Sequence, residues 1–216
     1  IRPSTLAITE KLYEGFVEKF NAHLTQYPYL LGGKPCLGDF GLMCPLYGHL
    51  GRDPVPHRLL QMRGPWVHRW VERMNRPEPD TGEYINLPHS FLQDDEVPET
   101  IIELLTHFAL DFVPETIASH SGINQWLEEN KPAIGAQCER YVGEAEFEVE
   151  GIAIHVCPQP FRFYLLERVQ SAVQALKGSD QADALALLDT CNMTAVLDLK
   201  LDRNIGRANN LEVWLD

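Results

Sequence analysis

Residues 37–50, LGDFGLMCPLYGHL, are apolar on nearly every side apart from Asp39 and His49. A segment of that kind reads as a helix through the middle of a core, because an all-round apolar helix is stable only where every side meets apolar groups. Its glycines, Gly38, Gly41 and Gly48, each cost about 1 kcal/mol of helicity relative to Ala. Neighbouring helices are therefore expected to approach closely over the bare positions, since packing outweighs propensity in a buried helix. Pro45 cannot donate to the Gly41 carbonyl and its ring crowds that group, which predicts a kink or a change of helix there. A buried helix in turn requires a shell of amphipathic ones.

The flanking sequence supplies that shell. Tyr13, Phe16, Val17, Phe20 and Leu24 recur at helical spacing with Glu10, Lys11, Glu14, Glu18 and Lys19 mostly on the other face. Residues 4–25 thus read as one long amphipathic helix, with Ser4 as its N-cap. Tyr27 to Pro35 breaks it with two prolines and a Gly pair. Arg52-Asp53-Pro54-Val55-Pro56 is a turn leading to a short helix over 57–63. Pro65 then sits at a first helical position, and Trp66, Val67, Trp70, Val71 and Met74 form the stripe of a helix ending near Asn75.

Residues 78–97 hold Pro79, Pro88 and the run Asp94-Asp95-Glu96 and read as a linker or surface excursion. From Pro98 to Asn130 the pattern is helical, in two pieces divided at Pro114. Around 145–157 the period changes: Phe147 and Val149 alternate with Glu146, Glu148 and Glu150, and Ile152, Ile154 and Val156 alternate with Ala153, His155 and Cys157. Two alternating runs hinged at Glu150-Gly151 predict a β-hairpin whose apolar face lies on helices. Helices follow at about 159–177 and 180–191, and residues 209–215 look extended or irregular. The expected fold class is mainly α, organised as a helical core over 1–77, a linker over 78–97 and a helical extension with a hairpin over 98–216.

Charge narrows the function. Eighteen basic and 31 acidic side chains give −13, and such a field repels polyanions and anionic lipid, so neither nucleic acid nor membrane is an expected partner. No apolar run is long enough to span a bilayer. Cys36, Cys44, Cys138, Cys157 and Cys191 are odd in number and form no CxxC, which fits reduced, mostly buried thiols and a cytoplasmic protein. The start, Ile1-Arg2-Pro3-Ser4, has neither an initiator Met nor a signal-peptide pattern; a chain that begins inside a longer protein is the expectation.

Motifs for chemistry are absent. None of the eight histidines forms HExxH, no His/Cys/Asp set has metal-ligand spacing, and there is no GxSxG, P-loop or GxGxxG. No catalytic residue and no metal site is therefore expected within this chain. The polar group His49, Arg52, Asp53 and His57, with Tyr47 beside it, is the candidate substrate-binding cluster. The competing reading is that Arg52 and Asp53 cap a helix end and fix the Asp53-Pro54 turn. Glu144, Glu146, Glu148 and Glu150 suggest either cation binding or a solvated strand face. Tyr13, Tyr47 and Tyr164 could line an apolar cavity or simply pack.

The segment PYLLGGKPCLGDFGLMCPLYGHL (28–50), between an amphipathic helix and PWVHRWVERMNRP (65–77), resembles the helical C-terminal domain of glutathione S-transferases. In that family a loop of the type YL-x-G-x-x-x-[ST]-x-x-D leads into the central buried helix, and its Ser/Thr and Asp form a capping box. The resemblance covers residues 4–77. It makes Asp39 the N3 carboxylate and places Cys36 at the N-cap, where a thiol is a weak acceptor and leaves half the box intact.

The same resemblance implies a thioredoxin-like domain and one further helix upstream of residue 1. It also implies glutathione as co-substrate of the full protein, a small hydrophobic electrophile as second substrate, and a homodimer; no cofactor is expected on this chain alone. A non-catalytic interaction or ligand-binding module on the same fold is the alternative. A third is an enzyme whose site lies within 78–216.

Overall fold

The computed structural model describes residues 3–78 and 81–216. It is mainly helical, with two small antiparallel hairpins. In chain order the elements are α1 (Leu6–His23), α2 (Leu37–Pro45), α3 (Pro54–Arg63), α4 (Pro65–Met74) and α5 (Glu99–Asn130), then β1 (Ala145–Val149) and β2 (Ile152–Val156). They are followed by α6 (Pro160–Ala175), α7 (Ser179–Thr190), β3 (Ile205–Ala208) and β4 (Leu211–Trp214). The chain divides into two compact units, one of Thr9–His107 and one of Ile1–Ile8 with Phe108–Asp216. Among the described residues no helix is long and apolar enough to cross a membrane.

In the Thr9–His107 unit Phe16, Val17 and Phe20 on the stripe of α1 are buried, as are Leu60 of α3 and Trp70 of α4. Phe20 meets the Trp70 ring edge-on at 5.0 Å, a favoured aromatic geometry. Gly64 joins α3 to α4 directly against α1: a Cβ there would lie 2.6 Å from Val17 Cγ1. α3 opens at Pro54 behind Asp53, and α4 opens at Pro65, where a missing N–H costs nothing. Ser4 lies in a 3₁₀ turn, Pro3–Thr5, and α1 begins two residues later, so Ser4 is not the N-cap the sequence predicts.

The segment 37–50 departs from its expected place. After Pro45 it changes from α2 into a π-helical stretch, Leu46–Leu50, the change of helix that the sequence predicts there. It does not run through a core. Asp39 and Leu46 are buried, whereas Leu37 is 87% exposed, Phe40 56% exposed, and Cys44 lies at the surface. A Cβ added at Gly38 would stand 2.8 Å from Leu30 Cδ1, but nothing stands within 4 Å of one at Gly41 or Gly48. The expected helix-to-helix approach is missing because no described element covers that side of α2.

The second unit packs Ile123 and Leu127 of α5 with Phe163 and Leu166 of α6, closed by Ile205 and Trp214 of the final hairpin. α5 is one helix and not two pieces divided at Pro114. The Pro114 ring displaces a bond to the carbonyl of Leu110, a residue half exposed, where water can take the acceptor. β1 and β2 pair from Ala145 opposite Val156 to Val149 opposite Ile152. Their turn, Glu150 (φ 49) and Gly151 (φ 78), has both central residues left-handed, the geometry of a two-residue hairpin. Chain close to β1 crosses α5 at Gly122, where a Cβ would sit 2.8 Å from the Glu144 carbonyl.

Residues 205–214 form a second hairpin, which takes in most of the stretch 209–215 that the sequence reads as extended or irregular. Its turn, Asn209 (φ 51) and Asn210 (φ 63), is again left-handed at both positions. Asparagine tolerates that region better than other side chains do.

Candidate functional site

One highly connected polar group in the Thr9–His107 unit is Asp39. Its backbone places it at N3 of α2, and its side chain is fully buried, 0% exposed. Oδ2 accepts from the Cys36 amide at 2.9 Å, and Oδ1 accepts from the Leu30 amide and from Trp70 Nε1, both at 3.2 Å. One carboxylate thus ties together the Pro28–Cys36 loop, the start of α2 and the middle of α4.

Cys36 occupies the N-cap with φ −107 and ψ 180, and both arms of the capping box are closed, the thiol accepting from the Asp39 amide. The sequence reading gave half a box; the second arm closes because sulfur, though a weak acceptor, still reaches the amide. Burial, reinforced by the neighbouring Asp39 carboxylate, raises the Cys36 pKa. A thiol held in its protonated form is a poor nucleophile.

A second group continues this framework. Arg73, 3% exposed, donates from Nη1 to the Pro28 carbonyl at 3.0 Å and lies over the rings of Tyr84 and Tyr29, at 5.2 and 5.9 Å from their centroids. Glu83 approaches Arg73 Nη2 at 3.7 Å and also pairs with Arg69. Burial works against its charged form, but hydrogen bonding and the two guanidinium groups outweigh it, and the Glu83 pKa is lowered. His23, fully buried, bridges the Tyr29 carbonyl at 3.0 Å and Thr100 Oγ1 at 2.8 Å. Burial lowers its pKa, so the ring is neutral at pH 7.

Neither Arg73 nor His23 was singled out from sequence. For Arg73 a signal existed: it follows Trp70 by three residues and so lies on the buried side of α4.

The predicted substrate cluster comes together only in part. The Arg52 guanidinium stacks 4.3 Å from the Tyr47 ring centroid, and the Tyr47 hydroxyl accepts from Asn75 Nδ2 at 3.1 Å. His49 and Asp53 are joined to the turn through the main chain: the amides of Arg52 and Asp53 both donate to the His49 carbonyl at 2.8 Å, and the Asp53 carbonyl accepts from His57. The His57 ring is turned to His68, with the two Nε2 atoms 3.0 Å apart. These contacts fix a turn.

The glutamates of β1 line its exposed face, where Glu146 meets His155 Nε2 at 2.8 Å, while Glu150 has moved into the turn. The Tyr13 hydroxyl is buried without a hydrogen-bond partner among the described residues, and burial pushes its pKa up to about 12. Tyr164 lines a cavity of about 110 Å³ in the second unit together with Phe163, Glu167 and Arg203.

Among the described residues no group of three or more His, Cys, Asp or Glu side chains is placed to hold a metal ion. What the Asp39 junction does is hold a loop and two helices in register. Compared with known proteins, the chain matches no family model, no curated protein and no solved structure.

Proposed function

We propose that this chain is the C-terminal substrate-binding and dimerising part of a glutathione S-transferase-like protein. In the full protein a glutathione thiolate would conjugate or reduce a hydrophobic electrophile, with the thiol activated outside these residues. The observation that carries the reading is the Asp39 junction. The loop motif resembles that of the family, and its acidic residue is buried with three hydrogen bonds at the start of α2.

The bare apolar side of α2 supports the same reading, because a helix with Leu37 and Phe40 in solvent is suited to being covered by another part of a larger protein. That face equally favours the second reading, a non-catalytic module that assembles with a partner through it.

Conjugation of 1-chloro-2,4-dinitrobenzene with glutathione by the intact natural protein tests the choice. The transferase reading expects turnover by the intact protein and none by this chain alone, with the intact mass exceeding that of residues 1–216. An intact protein of this length that neither turns over the electrophile nor binds a glutathione matrix would overturn it.

A further inference from the structure

The strips 31–33 and 90–92 are laced main chain to main chain. The Gly33 amide donates to the Ser90 carbonyl at 2.8 Å and the Leu92 amide to the Leu31 carbonyl at 3.1 Å. Gly32 has φ +107, and a Cβ on Gly33 would stand 2.0 Å from the Pro88 carbonyl oxygen, so the approach admits only glycine at these positions. This lacing carries part of the wall of an open cavity of about 330 Å³, within the range of small-molecule sites, about 300–1,000 Å³.

Leu31, Phe91, Leu92 and Val97 give the cavity apolar surface, and Phe91 is 49% exposed. Asp95 and Glu96 also line it, both exposed. Their carboxylates have no hydrogen-bonding or ionic partner among the described residues.

We propose that this cavity binds a small organic cation, a primary amine whose ammonium group pairs with Asp95 and Glu96 while its aromatic or aliphatic body covers Phe91 and Leu92. Two features decide the sign of the charge. The protein carries −13 overall, which draws cations and repels anions. The N-terminus of α2 at Cys36, which would otherwise favour an anion, is already occupied by the Asp39 carboxylate. The Cys36 thiol in the wall adds polarizable surface and no charge. The inference does not depend on the transferase reading.

The test uses the whole chain and two probes of matched size and opposite charge, 2-phenylethylammonium and 3-phenylpropanoate, with backbone amide NMR shifts followed during titration at neutral pH. The ammonium is expected to move the Leu31, Leu92 and Val97 amides saturably, and the carboxylate to leave them in place. Replacing both acids, Asp95→Asn with Glu96→Gln, is expected to weaken the ammonium about fivefold, a size set by exposed ion pairs.

Equal binding of the two probes, shifts confined to other regions, or an unchanged affinity in a folded double variant would overturn the proposal. If the double variant does not fold, sodium chloride decides: added salt is expected to weaken the ammonium by screening, and salt-independent binding overturns it.

Discussion

The two sides of α2 make an instructive contrast. One side carries Asp39, fully buried and hydrogen-bonded to three separate parts of the chain. The other carries Leu37, Phe40, Gly41 and Cys44 in solvent, although by composition these are the residues that should be inside. Apolar periodicity therefore measures what a helix is able to bury, and the polar residue that cannot stay buried without partners locates where the described chain actually closes.

The largest test of that contrast is Asp39→Ala. It removes three acceptor contacts at once and strands buried donors, including Trp70 Nε1. At about 1–3 kcal/mol for each unsatisfied group, part of it recovered by relaxation, the expected loss is about 3–5 kcal/mol in denaturant melts. A loss under 1 kcal/mol would mean that the junction does not organise the fold.

Acid should weaken the same buried side. His23 is held neutral by burial, and its folded pKa lies below the unfolded value of about 6.5. Below that pH the unfolded chain binds a proton that the folded chain refuses, so stability falls as pH drops, by at most about 1.4 kcal/mol per pH unit for this one group. His23→Gln should flatten the slope of stability against pH between 7 and 5, and an unchanged slope would assign it to other groups.

Much of this architecture was legible in the sequence, and the failures have physical causes. α4 and the β1–β2 hairpin follow from Pro65, the Trp-rich stripe and the Glu150-Gly151 turn. The second hairpin is not legible locally because Asn209-Asn210 carries the same left-handed turn without a glycine, and its strands are only four residues long. Pro114 does not divide α5, because a helix that keeps its other hydrogen bonds and exposes the displaced carbonyl survives one proline. At the site, Asp39 and Cys36 could be placed from loop spacing. The Leu30 and Trp70 bonds to Asp39, and the Arg73 contact with the Pro28 carbonyl, join residues 9 to 45 positions apart, and no local pattern specifies them.

The bare side of α2 is open to substitution in ways the buried side is not. At Gly41 nothing stands within 4 Å of an added Cβ and φ is not left-handed, so Gly41→Ala should stabilise the chain by about 0.5–1 kcal/mol through helix propensity alone. A loss instead would show that something does pack over that position in solution. Cys36→Ser should be neutral or stabilise by a few tenths of a kcal/mol, since a hydroxyl is the better acceptor for the Asp39 amide; a thermal melt resolves the sign.

The smallest expected effect is the sharpest test of the contrast. Leu37→Ser and Phe40→Ser remove apolar side chains that are already 87% and 56% exposed. Little transfer free energy remains to be lost, and surface substitutions generally fall within about 0.5 kcal/mol. Melts of both variants should therefore superimpose on that of the parent chain at low protein concentration. If Phe40→Ser loses more than that, and the loss grows with protein concentration, then Phe40 is buried between copies and the bare face is an interface. Sedimentation velocity separates the cases: parent and variant sedimenting alike keep the face free, whereas a parent that sediments faster than the variant means that self-association covers it.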